Sequence, residues 1–83
     1  MPLFMDHHAK VEGLTAEAVA GAHQADQQIQ AEYGVDYQQY WFDEASGQVW
    51  CLVSAPDANA AIEVHRKAHG LVADDITEVK AGA

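Results

Sequence analysis

The pattern of apolar and polar positions divides the chain into six segments of two different periods. Residues 2–8, "PLFMDHH", form a short run that begins apolar and stops before "AKVEG", which predicts a strand. Residues 14–34, "LTAEAVAGAHQADQQIQAEYG", follow helical spacing. Ala18, Ala22, Ala25 and Ile29 recur on one side, and Gln24, Gln27, Gln28 and Gln30 are mostly left outside it. Thr15 is placed to cap this helix, and Glu17 suits its positive end. Leu14 and Val19 sit where a hydrophobic staple joins N′ to N4, and Gly34 supplies the stop.

"VDYQQYWFDE" and "QVWCLVSA" are rich in aromatic and β-branched residues and are separated by "ASG", so they read as a hairpin. Simple alternation puts Tyr37 and Trp41 on one face of its first strand, with Tyr40 and Phe42 on the other. In the second strand Val49, Cys51 and Val53 oppose Trp50 and Leu52. A second helix follows "APDAN", with Asp57 as its cap, and runs to His69 with Gly70 just beyond its end. "DDITEVK" gives a last strand, and a small-residue tail, 81–83, is expected to fray.

Strand, helix, strand, strand, helix, strand is the order of an α+β, ferredoxin-like βαββαβ sandwich. It predicts a four-stranded antiparallel sheet with two helices on one face, and one domain over residues 1–83. Both faces of the hairpin carry apolar groups, yet two helices cover only one. The uncovered aromatic face therefore calls for a partner, and a homodimer packed sheet to sheet is the simplest supplier.

Composition narrows the function. Hydrophobic residues make up 49% of the chain, too many for a disordered protein. Thirteen acidic residues against four basic ones give a net charge of -9, which repels nucleic acid and attracts cations. Cys51 alone forms no internal disulfide, and no secretory signal or membrane-length apolar run appears, so a soluble cytoplasmic protein is expected.

The candidate chemistry lies in the histidines. Four of the five fall in two groups, "DHH" at the end of the first strand and "HRKAHG" at the end of the second helix. His65 and His69 are four apart and share one side of that helix, with His65 facing the sheet. Imidazole suits nickel, zinc and copper, and a carboxylate such as Asp6 completes such a ligand set. Strand alternation puts Asp6 with His8 on one face and His7 with Met5 on the other. Asp6 or His8 with one helix histidine is therefore a more natural site than His7 and His8 together, unless the strand bulges or ends at Asp6.

Each helix histidine also has a purely structural use. His69 in the last turn complements the negative helix end, and His65 fits as a core histidine bonded to a backbone carbonyl. His23 reads as a solvated surface residue. Cys51 reads as a small buried hydrophobe, Trp41 and Trp50 as packing or interface residues, and Asp74–Asp75 and Asp43–Glu44 as solvated pairs. Neither a glycine-rich phosphate loop nor a nucleophile elbow is present. A catalytic or ligand-binding pocket between helices and sheet, as in dimeric α+β barrel proteins, stays open by analogy of fold alone.

Taken together, "PLFMDHHAKVEGLTAEAVAGAH", "YWFDEASGQVWCLVSAP" and "VHRKAHGLVADDITEV" resemble a family of small bacterial proteins of ferredoxin-like fold, described as a domain of unknown function, that includes a nickel-binding member. The resemblance covers nearly the whole chain and is carried by "MDHH" and "HRxAHG". It implies a ferredoxin-like homodimer and a non-catalytic role in nickel sequestration or detoxification, with Ni2+, or Zn2+ or Cu2+, as the bound ion. Asp6, His7, His8, His65 and His69 fall on the family's motifs, and the resemblance does not choose ligands among them.

Overall fold

Each helix begins where a short polar side chain supplies an acceptor that the backbone lacks. The Thr15 hydroxyl accepts the Ala18 N–H at 3.1 Å, and the Asp57 carboxylate accepts the Ala60 N–H at 2.8 Å. Each such cap contributes about 1 kcal/mol. These caps start α1 (Ala16–Ile29) and α2 (Ala58–Ala68) in the computed structural model, which describes residues 1–82. After Ile29 the chain tightens into a 3₁₀ turn, Gln30–Tyr33, and leaves it through Gly34 at φ +66°. Gly70 takes φ +78° and returns its N–H to the His65 carbonyl at 2.9 Å, which ends α2. Ala83, at the end of the tail expected to fray, lies outside the described residues.

The strands are β1 (Leu3–His8), β2 (Asp36–Asp43), β3 (Gln48–Ser54) and β4 (Asp75–Val79). They form one antiparallel sheet in the order β2-β3-β1-β4. This is the ferredoxin-like arrangement that the element order predicts. Alternation is strict in the two central strands. Phe4, Asp6 and His8 of β1 are buried on the helix side, as are Val49, Cys51 and Val53 of β3. The register pairs Phe4 with Val53, Asp6 with Cys51 and His8 with Val49, so these residues share a face. Val19 from α1, and Ala61 and Val64 from α2, close the core over them.

Two details depart from the simple patterns. In α1 the buried positions are Val19 and Asp26, seven residues and two turns apart, and Ala18 is exposed. The packed stripe follows the larger Val19 rather than the run of alanines. In β2 the pairing jumps from Tyr37↔Val53 to Gln39↔Leu52, so Gln38 is an extra residue. A one-residue bulge reverses every later side chain. Tyr37, Tyr40 and Phe42 consequently share the helix side, and Trp41 pairs with Trp50 on the open face. The expectation that Tyr37 and Trp41 lie together is corrected by this bulge.

The open face carries Met5, Trp41 and Trp50 around a shallow depression, and Trp41 is 47% exposed. Among the described residues, no helix is long and apolar enough to cross a membrane.

Candidate metal centre

Five elements bring ionisable side chains to one buried point. β1 contributes Asp6 and His8 from its inward face, and β3 places Cys51 directly across from Asp6. α2 contributes His65, α1 contributes Asp26, and β2 contributes Tyr37 ahead of its bulge. Asp6, Asp26 and His65 are each about 2% exposed or less. Charged groups rarely enter a core this fully unless they are paired.

The pairing here is a chain. His65 Nε2 lies 2.9 Å from Asp6 Oδ2, and its Nδ1 lies 2.9 Å from Asp26 Oδ1. Burial lowers the His65 pKa, but hydrogen bonds to Asp26 and Asp6 outweigh it and raise the value to about 9. His65 is therefore an imidazolium that donates to a carboxylate from each ring nitrogen. Burial raises Asp6 in turn, yet the hydrogen bond and charge of His65, with His8 close by, hold it well below the usual carboxylate range. Asp26 is lowered too, by its hydrogen bond to His65 and by His69 close by.

The remaining atoms separate the two sides of His65. On the Asp6 side, the Tyr37 hydroxyl hydrogen is shared between Asp6 Oδ2 at 3.1 Å and the Ala61 carbonyl at 2.9 Å. Asp6 Oδ1 is buried and accepts no hydrogen bond, with His8 Nε2 3.5 Å away. On the Asp26 side, His69 Nδ1 accepts the Leu71 N–H at 3.1 Å. That contact puts the proton of neutral His69 on Nε2, which stands 3.0 Å from Asp26 Oδ1 but out of line for a hydrogen bond.

Two groups of potential ligand atoms result, each within 4.8 Å: Asp6, His8, Cys51 and His65, and Asp26, His65 and His69. They share His65 and differ in fitness. A ligating histidine ordinarily donates its other N–H to an acceptor. His65 bound through Nε2 satisfies this, because its Nδ1–H already points at Asp26. His69 bound through Nε2 would move its proton to Nδ1 and face the Leu71 N–H, donor against donor. Burial and the neighbouring Asp6 push the Cys51 thiol up, so it is a thiol in the metal-free protein; a coordinated cation makes it a thiolate. Burial and Asp6 likewise push Tyr37 up and keep it a hydrogen-bond donor.

The sequence model of the family described as "Nickel responsive protein SCO4226-like" matches residues 4–79. The chain belongs to that family. A search of curated proteins gave no match. Among solved structures, the crystal structure of SCO4226 from Streptomyces coelicolor A3(2) is similar at 41% identity, with a TM-score of 0.90. The match covers 98% of this chain and 99% of that one.

Within this SCO4226-like fold, Asp6, His8, His65 and His69 meet around one buried volume. His7 does not join them. It lies on the open face, stacked on Trp50 at 5.4 Å between centroids, with Asp75 3.2 Å and Gln48 3.0 Å from its two nitrogens. Asp26, Cys51 and Tyr37 complete the surroundings without being foreseen as site residues. Cys51 carried a signal, since it alternates inward with Val49 and Val53, and Asp26 carried one in its seven-residue spacing from Val19. His23, expected in solvent, is half-buried against Tyr40 at 4.8 Å. It lines a cavity of about 60 Å³ between α1 and the sheet, which reaches inward to His8, Asp26, His65 and His69.

Proposed function

We propose that this chain is a non-catalytic binder of divalent transition metal, nickel first, with Asp6, His8 and His65 Nε2 as ligands and Cys51 as a fourth donor. The observation that carries the reading is Asp6 Oδ1. It is a buried carboxylate oxygen without a hydrogen-bond donor, 3.5 Å from His8 Nε2, while the other oxygen of the same carboxylate takes the His65 hydrogen bond. A cation bound there would take the place of the His65 Nε2 proton, between the same carboxylate and imidazole. Asp26 then holds His65 by its outer N–H and sets which nitrogen faces the ion. One oxygen, two imidazoles and a thiol suit nickel, zinc and copper alike, with copper(II) the strongest competitor by intrinsic affinity.

The net charge of -9 favours the approach of cations, in keeping with sequestration or detoxification in the cytoplasm. Protomers pair through the open face, where Met5, Trp41 and Trp50 offer an apolar surface in a chain too small to bury it alone. Calorimetry of untagged protein with Ni2+, Zn2+, Cu2+ and Co2+ tests the reading. Saturable binding that His8→Ala and His65→Ala each weaken is expected; binding unchanged by both variants overturns it. One observation favours a second reading, a small-molecule binder: the cavity that ends at these same side chains.

A further inference from the structure

His23 lies outside the two groups of ligand atoms around His65, yet it lines the same cavity as His8, Cys51 and His65. It stands half-buried on α1 against the ring of Tyr40, 4.8 Å away between centroids. The sheet register continues inward from there. Tyr40 is directly across from Cys51, and Cys51 is directly across from Asp6. Neighbouring strands lie about 4.8 Å apart, so one cross-strand row runs about 10 Å from beneath His23 to the buried carboxylate. Leu14, Val19 and Ala22 line the cavity without offering a ligand atom. At the Leu71 side stands His69, whose Nδ1 takes the Leu71 N–H and whose Nε2 faces Asp26, so that side leads away from Asp6.

We propose that His23 is a transit ligand for a divalent transition-metal ion: its imidazole holds the ion at the cavity mouth as waters leave, and passes it along the Tyr40–Cys51 row to His8, His65 and Asp6. This rests on the metal reading above and names the residue that sets the rate of loading. Size makes such a residue necessary. The inner ligands are sealed, with Asp6 1%, His65 2% and His8 6% exposed. A dry cavity of about 150 Å³ accommodates benzene, so one of about 60 Å³ holds about two or three water-sized groups, less than half of an octahedral hydration shell. Apolar walls do not replace the lost waters, and a bare charge among them is costly. Imidazole replaces them well for nickel, zinc and copper. His23 is the imidazole of this cavity that stands outside the buried chain of His8, Asp6, His65, Asp26 and His69.

Nickel uptake by untagged protein, and its release to excess chelator, are followed by stopped flow, with calorimetry for Kd. His23→Phe keeps a ring packed on Tyr40 and removes both nitrogens. It should slow uptake and release alike, each by about tenfold, and leave Kd unchanged, because a group touched only in passage lowers the barrier from both directions. A merely structural role for His23 would lower stability without this paired slowing. Ala18→Leu, at an exposed helical position that lines the same cavity, should slow both rates as well. Parent rates in both variants overturn the proposal, and so does a weakened Kd in His23→Phe, which would make His23 a resident ligand. Unchanged rates in both variants, with binding still weakened by His8→Ala, would leave the metal site standing and remove the route alone. A parent chain without saturable nickel binding overturns the metal reading itself, and the route with it.

Discussion

Raising the pH of the metal-free protein should destabilise it chiefly through His65, in a defined window. The imidazolium is buried between Asp6 and Asp26, 2.9 Å from each, and its pKa rises from 6.5 to about 9. A raised folded-state value means that the folded chain holds the proton more tightly than the unfolded chain. The contribution is fully present below 6.5 and is lost as pH climbs through about 9. At 1.36 kcal/mol per pH unit the interval amounts to about 3 kcal/mol, of which about 2 kcal/mol disappears between pH 6 and pH 8.5. For a chain of this size that is a substantial share of the roughly 4–12 kcal/mol expected in total.

The assay is urea denaturation in the presence of a chelator across that range. High salt screens the partly exposed His7–Asp75 pair, whose His7 pKa also rises, through its bonds to Gln48 and Asp75. Stopping at pH 8.5 keeps small the titration of the unfolded chain's thiol and phenols, which ionise where buried Cys51 and Tyr37 do not. Stability that is flat or rising over the window would refute an imidazolium between two carboxylates.

Three further outcomes follow from the same geometry. Asp26→Asn keeps an acceptor for His65 Nδ1 but removes its charge, and should weaken nickel binding by about 10–100-fold in calorimetry; unchanged affinity would place the ion away from His65 Nε2. Tyr37→Phe takes the only hydroxyl from between Asp6 Oδ2 and the Ala61 carbonyl and should cost about 1–3 kcal/mol in denaturant melts, with no cost meaning that the hydroxyl is not needed. Trp41→Asp on the open face should convert a dimer to monomer in sedimentation velocity, and a persistent dimer would exclude that face as the interface.

Much of the fold is legible because its signals are local. Thr15 and Asp57 sit at the helix starts, Gly34 and Gly70 at the ends, and strict alternation in β1 separates His7 from His8. The site is legible only to the extent that it rests on such alternation, which brings Asp6 and His8 to one face and turns His65 inward. What escapes depends on long-range pairing. The Gln38 bulge is set by the register of β2 against β3, and nothing in "DYQQYWFD" marks it, so the face of Trp41 could not be read from period two. Cys51 acquires its meaning only when the β1–β3 register sets it across from Asp6. Asp26 is hidden differently, since a carboxylate on a helix beside glutamines looks solvated until His65 and His69 are known to face it.

The central claim is that the ion sits on the Asp6 side of His65. Anomalous diffraction at the nickel edge, from crystals of untagged protein grown with Ni2+, tests it most directly. The account predicts a peak among Asp6, His8 and His65 Nε2, with His65 Nδ1 still donating to Asp26. A peak between Asp26 and His69 instead, or nickel bound only at surface carboxylates, would contradict it.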